Sequence, residues 1–193
     1  MNIGLYFGTF NPVHNGHISI ANSVLNYSKV DKLWLVLTPQ SPHKTKSRLI
    51  DFKHRYEMLK IACEKCENIL PIDIEENLPS PNYSIDTLKY LKKEYNSHNF
   101  SLVTGSDNMQ KFTTWKEYNK IVENHKIYVY PRISEGKIAI QFDQHPQIHK
   151  IAAPIVQVSS TMIRNGIKDG KNIKPMLTKE VWSYIDEMNF YRK

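Results

Sequence analysis

Two histidines, His14 and His17, stand three residues apart in the run Gly8-Thr9-Phe10-Asn11-Pro12-Val13-His14-Asn15-Gly16-His17. Placed in the first turn of a helix, their imidazoles share one face and can both donate toward a single phosphate chain. Gly8 and Gly16 let the backbone come close to such a ligand. One histidine at such a place reads as a cap or a surface residue, but two inside this Gly/Pro/Asn frame read as clamps on a reacting phosphate. A second unusual run, Ser159-Ser160-Thr161-Met162-Ile163-Arg164, puts three hydroxyls ahead of an arginine. By itself it signals a helix N-cap followed by a solvated Arg164.

These residues need elements to hold them. Residues 2–7 are short, apolar and β-prone, and 17–25 carry apolar residues at helical spacing, so a strand runs through a Gly-bounded turn into a helix. At the carboxyl edge of an α/β sheet, the unpaired N–H groups of such a helix attract anions. Alternation continues along the chain, with strands expected at 2–7, 32–37, 69–74, 99–104, 126–130, 136–142 and 148–151. Helices are expected at 16–27, 52–66, 84–95, 115–124, 161–167 and 178–188. The pattern predicts an α/β fold with a parallel sheet and right-handed crossovers. With no repeat, low-complexity segment or Gly/Ser linker, one domain is expected over 1–193.

Three further loops reach the same edge. The stretch Thr38–Ile50 carries His43, Lys44, Lys46 and Arg48 after an apolar strand. A Pro-rich stretch precedes Ser84, a candidate N-cap for a helix with Ile85 and Leu88. Gly105-Ser106-Asp107 follows the strand ending at Thr104 and offers amides and a carboxylate, while Trp115 reads as core by type.

The chain has 193 residues, 40% of them hydrophobic, enough for one domain with a sizeable core. A net charge of +7 suits an anionic partner without choosing between nucleotide, nucleic acid and membrane surface. The N-terminus lacks a signal-peptide pattern, and no apolar run reaches the roughly 18–20 residues of a membrane span. A soluble cytoplasmic protein without membrane attachment is expected. Cys63 and Cys66 fall near a helix end and cannot complete a four-ligand zinc site, so they read as reduced thiols. Neither G-x-x-x-x-G-K-[ST] nor G-x-G-x-x-G occurs after a strand, which disfavours P-loop and dinucleotide-fingerprint enzymes.

Taken together, His14-Asn15-Gly16-His17 and Ser159–Arg164 resemble the HxGH and SSTxIR motifs of the nucleotidyltransferase α/β-phosphodiesterase superfamily. Within it the chain is similar to bacterial-type nicotinate mononucleotide adenylyltransferases. That likeness runs through Pro42-His43-Lys44, Tyr83-Ser84-Ile85-Asp86-Thr87-Leu88, Gly105-Ser106-Asp107 and Trp115. It implies a Rossmann-like doubly wound parallel sheet with helices on both faces. It also implies transfer of AMP from ATP to nicotinate mononucleotide, with Mg²⁺ accompanying ATP and no protein metal cage. By resemblance His14, His17 and Arg164 are the catalytic residues. Gly8, Thr9, Phe10, Gly16, Gly105, Asp107, Arg132, Ser159, Ser160 and Thr161 surround ATP. Asn11, His43, Lys44, Arg48, Ser84, Thr87 and Trp115 lie near the mononucleotide. Ser84, where many relatives have Thr, and the stretch around Arg132, where Arg-Pro-Gly is common, depart from the pattern.

Such a transfer must hold two polyanions together and stabilise a leaving pyrophosphate, so cations and N–H donors matter more than a covalent nucleophile. The alternatives are an adenylyltransferase for nicotinamide mononucleotide or phosphopantetheine, or a non-catalytic nucleotide- or RNA-binding module. The retained histidines, Arg164 and hydroxyls argue against the last, and nucleic acid is disfavoured because no RNA-binding motif occurs. A homo-oligomer is compatible with the sequence.

Overall fold

The computed structural model describes residues 1–40, 49–132, 142 and 144–192. Among them lie strands β1 (Asn2–Gly8), β2 (Lys32–Leu37), β3 (Ile69–Ile72), β4 (Asn99–Gly105), β5 (Ile127–Tyr130) and β6 (Ile148–Lys150). The helices are α1 (Asn15–Tyr27), α2 (Phe52–Cys63), α3 (Ser84–Glu94), α4 (Ser106–Met109), α5 (Tyr118–Asn124), α6 (Ser160–Lys168) and α7 (Lys179–Glu187). The strands form one sheet in the order β3-β2-β1-β4-β5-β6, every neighbouring pair parallel. The expected α/β class with a doubly wound parallel sheet holds. None of the described helices is long and apolar enough to cross a membrane.

Period-two alternation assigns the side chains of each strand to two cores. In β2, Leu33, Leu35 and Leu37 join α1, α2, α6 and α7 on one face. Trp34 and Val36 face the opposite way and join Leu88 and Leu91 of α3, with Ile121 of α5 nearby. Both faces are covered, which is why the strands read as nearly continuous apolar runs.

Most expected boundaries lie within a residue or two of those observed. The helix expected to 66 stops at Cys63, where the Cys66 amide closes on the Cys63 carbonyl at 2.8 Å. Burial pushes the Cys63 thiol up to about 12, consistent with an inert pair. The strand expected to 74 ends at Ile72 and gives way to a 3-10 turn at Ile74–Glu76. The helix expected from 115 begins at Tyr118, because Trp115 closes a preceding 3-10 turn at Phe112–Thr114. Apart from Phe142, the strand expected at 136–142 lies outside the described residues.

The chain winds from β1 through β2 to β3 and then returns across β1 to place β4 on its other side. The carboxyl ends of β1 and β4 therefore diverge, and a crevice opens between them. Its rim is held by Arg55, a side chain 2% exposed on α2. Its Nε donates to the Ile50 carbonyl at 2.8 Å, and Nη1 donates to Thr9 at 2.8 Å and Thr38 at 2.9 Å. Nη2 donates to Pro39 at 2.9 Å. One guanidinium thus ties the loops after β1 and β2 to each other.

Replacing Arg55 with Ala strands several buried carbonyls, and loss of about 3 kcal/mol or more of unfolding free energy is expected by urea titration. Arg55→Lys should not restore it, because an ammonium lacks the fork that reaches four acceptors at once. Wild-type stability in Arg55→Lys would refute the clip.

Candidate active site

The turn from β1 into α1 builds the first wall. His14 caps α1, its carbonyl accepting the His17 amide at 2.9 Å. The His14 amide in turn donates to His17 Nδ1 at 3.2 Å. An Nδ1 that accepts leaves a neutral His17 ring with its proton on Nε2. The two imidazoles stack at 3.7 Å between centroids, 27° apart, and Phe10 meets His17 edge-on at 4.9 Å. Burial first, and the Arg132 charge second, bring His14 down from 6.5 to about 4, so it is neutral near pH 7. Gly16 is required by this packing, since a Cβ there would lie 2.5 Å from Val156 Cγ1 and 3.0 Å from His14 Nδ1.

The second wall is the start of α6. Ser159 Oγ caps the helix by accepting the Met162 amide at 3.2 Å. Ser160 Oγ donates to the Pro12 carbonyl at 2.8 Å, so its hydroxyl proton is already engaged. The first-turn amides of Ser160 and Thr161 have no intrahelical acceptor. Arg164 donates to the Asn11 carbonyl at 2.8 Å and to Thr161 Oγ1 at 3.2 Å, which leaves the Thr161 proton available to another acceptor. Residues 148 or more positions apart in sequence are thereby locked into one unit by Ser160 and Arg164.

Beyond β4 and β5 the crevice is floored by Tyr6 and Tyr130, whose hydroxyls lie 3.2 Å apart. Arg132 sits over the Tyr130 ring at 5.5 Å, and its amide donates to Ser106 Oγ at 3.0 Å. Arg132 Nε and Asp107 Oδ1 are buried without partners among the described residues. Gly105 leaves the space that the Asp107 carboxylate occupies.

These walls enclose a cavity of about 610 Å³ lined by Gly8, Thr9, Phe10, Asn11, His14, His17, Asp107, Arg132, Ser159, Ser160, Thr161 and Arg164. Donors and cations outnumber the single carboxylate, as a polyphosphate requires. At Gly8 and Thr9 it meets a second cavity of about 440 Å³. That one is walled by Trp115, Tyr83, Ser84, Lys111 and Lys116, with Glu75 behind. Lys116 is held 2.8 Å from Asp86 and 4.9 Å from the centre of the Tyr83 ring. The start of α3 also opens here, where Tyr83 caps without a side-chain bond.

The structure brings together the residues expected around the phosphates and divides those expected around the mononucleotide. Ser84 and Trp115 line the second cavity, whereas Asn11 lies in the first. Thr87 requires a correction, because it is fully buried and its hydroxyl donates to Glu75 Oε1 at 2.7 Å. It holds the wall instead of facing the cavity. His43, Lys44 and Arg48 lie outside the described residues. Gly16 and Gly105 act by making room for neighbouring side chains.

Sequence reasoning missed Glu75, Lys111, Arg55 and Tyr191. Glu75 is 2% exposed, accepts from Thr87, and presents its backbone carbonyl to Asn82 Nδ2 at 2.9 Å. Burial pushes its carboxyl above the usual range against hydrogen bonds from Thr87 and Thr38. In the run Asp73-Ile74-Glu75-Glu76 nothing distinguishes the buried acid from its exposed neighbour.

The cytidylyltransferase-like family model matches residues 5–166. A Flavobacterium johnsoniae protein named "Probable nicotinate-nucleotide adenylyltransferase" is 51% identical over 193 residues, covering 100% of both chains. A Christiangramia forsetii protein of the same name is 50% identical over 190 residues, covering 98% of each. Among solved structures, Plasmodium falciparum nicotinic acid mononucleotide adenylyltransferase complexed with NaAD superposes with a TM-score of 0.81. It is 22% identical, with 98% of this chain and 97% of that one covered, and so shares the fold.

The buried His14 links stability to pH. Its native value near 4 lies below the unfolded 6.5, so its contribution is present above 6.5 and fades as pH falls toward 4. That contribution is on the order of 3 kcal/mol. Urea titrations at pH 7 and 4.5 should show a smaller loss for His14→Asn than for wild type; equal losses would contradict a neutral, buried ring.

Proposed function

The chain belongs to the cytidylyltransferase-like family, and from that premise we propose how its two joined cavities work as a nicotinate-nucleotide adenylyltransferase. The enzyme transfers AMP from ATP to nicotinate mononucleotide in NAD biosynthesis. The observation that carries the assignment of parts is the meeting, at Gly8 and Thr9, of a donor-rich cavity with one walled by Trp115.

ATP lies in the first cavity, its phosphates against His14, His17, Thr161 and Arg164, its nucleoside toward Asp107 and Arg132. The mononucleotide lies in the second. An oxygen of its 5′-phosphate attacks the ATP α-phosphorus in line, the bond from that phosphorus to the bridging oxygen breaks, and pyrophosphate departs with the electron pair. No protein nucleophile is needed. His17, with Nδ1 occupied by the His14 amide, donates from Nε2 to the α-phosphate as charge develops. Neutral His14 adds a donor without repelling Arg132. The amides of Ser160 and Thr161, the Thr161 hydroxyl and Arg164 hold the β- and γ-phosphates.

The pyridine ring packs against Trp115, and Lys111, Lys116 and the start of α3 supply positive potential suited to its carboxylate. Mg²⁺ fits as an ion carried by ATP. The described residues hold no cluster of three or more metal-ligating side chains, so the phosphate oxygens and water would supply most of its ligands. When bound, the ion neutralises phosphate charge. The cytoplasm is the compartment this reading implies.

Purified protein with Mg-ATP should release pyrophosphate with nicotinate mononucleotide and far less with nicotinamide mononucleotide or phosphopantetheine. Preference for phosphopantetheine, or silence with all three, would overturn the assignment. His17→Ala should lower kcat by roughly 100- to 1000-fold, about 2.7–4 kcal/mol, with a smaller change in the KM for ATP. Near-normal turnover in that variant would remove His17 from the mechanism.

A further inference from the structure

Tyr191 follows α7 in the chain, yet its hydroxyl donates to Asn11 Oδ1 at 2.8 Å, 180 residues away in sequence. The segment that delivers it is tightly shaped. The Asn189 amide bonds the Asp186 carbonyl at 3.2 Å and the Phe190 amide bonds Ile185 at 3.1 Å. The Phe190 ring meets His54 edge-on at 5.0 Å. Asn189 and Tyr191 adopt φ of 54° and 65°, a region that side-chain-bearing residues seldom occupy without a compensating contact. Burial holds the Tyr191 phenol protonated, with Arg164 and Arg55 as the charges that face it.

Asn11 is 2% exposed and lines the phosphate cavity. Its backbone carbonyl is taken by Arg164, and its side-chain Oδ1 accepts both the Tyr191 hydroxyl and, at 3.4 Å, the Ile50 amide. Its Nδ2 is buried and has no partner among the described residues. A planar amide can lie either way round, and two donors at one end dictate which atom sits there. The carbonyl oxygen is fixed toward Tyr191 and Ile50, so the NH₂ group must face away from them. A buried donor left unpaired in the lining of a binding cavity has its natural acceptor in the ligand.

We infer that Tyr191 is a positioning residue for the transfer reaction: by locking the Asn11 side-chain amide it holds Nδ2 ready to donate to the phosphates of the bound nucleotide. The inference rests on the reading of that cavity as the ATP phosphate site. Tyr191 itself touches no substrate and acts through Asn11. The segment after α7 thereby becomes part of the nucleotide site.

The test is a double-mutant cycle read by calorimetric titration with Mg-ATP, alongside kcat with nicotinate mononucleotide. Tyr191→Phe removes only the hydroxyl and should raise the Kd for Mg-ATP, or lower kcat, by roughly tenfold, the scale of one lost hydrogen bond. In an Asn11→Ala background the same substitution should have no further effect. Should Asn11→Ala fail to fold, Asn11→Asp serves as the background, since its two equivalent oxygens leave no orientation for Tyr191 to choose. An unchanged Kd and kcat in Tyr191→Phe, or an equal tenfold loss in both backgrounds, would overturn the inference and leave Tyr191 with a packing role. Wild type that binds Mg-ATP but turns over no mononucleotide would instead count against the assigned reaction, while the Kd cycle still judges Tyr191. Wild type that does not bind Mg-ATP would overturn both.

Discussion

Four carbonyl oxygens converging on the Arg55 guanidinium hold the working edge of this protein together. In a parallel sheet the strands end with unpaired backbone groups, and the loops that follow cannot lie over one another without leaving carbonyls buried and unsatisfied. Arg55 is itself buried, and burial depresses its basicity, so the four carbonyls stand in for the water its charge has lost. Because the clip spans Thr9, Thr38, Pro39 and Ile50, the β1 turn that carries the histidines and the loop after β2 share one anchor. A shift in either would be felt at both cavities.

The same reasoning extends to the far end of the chain. Ser160 and Arg164 bond to Pro12 and Asn11, and Tyr191 bonds to Asn11 again. The turn between β1 and α1 is thus fastened from α2, from α6 and from the segment after α7. Preorganisation of this kind matters for transfer between two polyanions, since donors already fixed in place need no rearrangement as charge develops. The charge balance is set locally as well: His14 is kept neutral by burial beside Arg132, so the cavity gains donors without stacking cations against each other.

Several site residues have one role in the chain and another in the fold. Ser159 and Ser160 read as phosphate ligands, yet the first caps α6 and the second donates its proton to Pro12. Both hydroxyls thus fix the start of α6 and the backbone amides of its first turn. Thr87 reads as a substrate contact and proves to be the buried partner of Glu75. For Ser160 and Thr87 the direction of a single hydroxyl depended on a neighbour that spacing within the motif does not reveal.

Local pattern alone established the alternation of strands and helices, the parallel sheet, and the positions of the HxGH and SSTxIR runs at helix starts, because periodicity and capping act over a few residues. It read Gly16 as room for a ligand, whereas in the fold the missing Cβ makes room for Val156 and His14. Only the tertiary structure decided that Glu75 is buried while Glu76 is exposed, that Arg55 binds backbone instead of solvent, and that Tyr191 reaches Asn11. Those outcomes depend on which surfaces meet across the sheet edge, and a polar side chain carries no mark in sequence of the distant carbonyl or amide that will satisfy it.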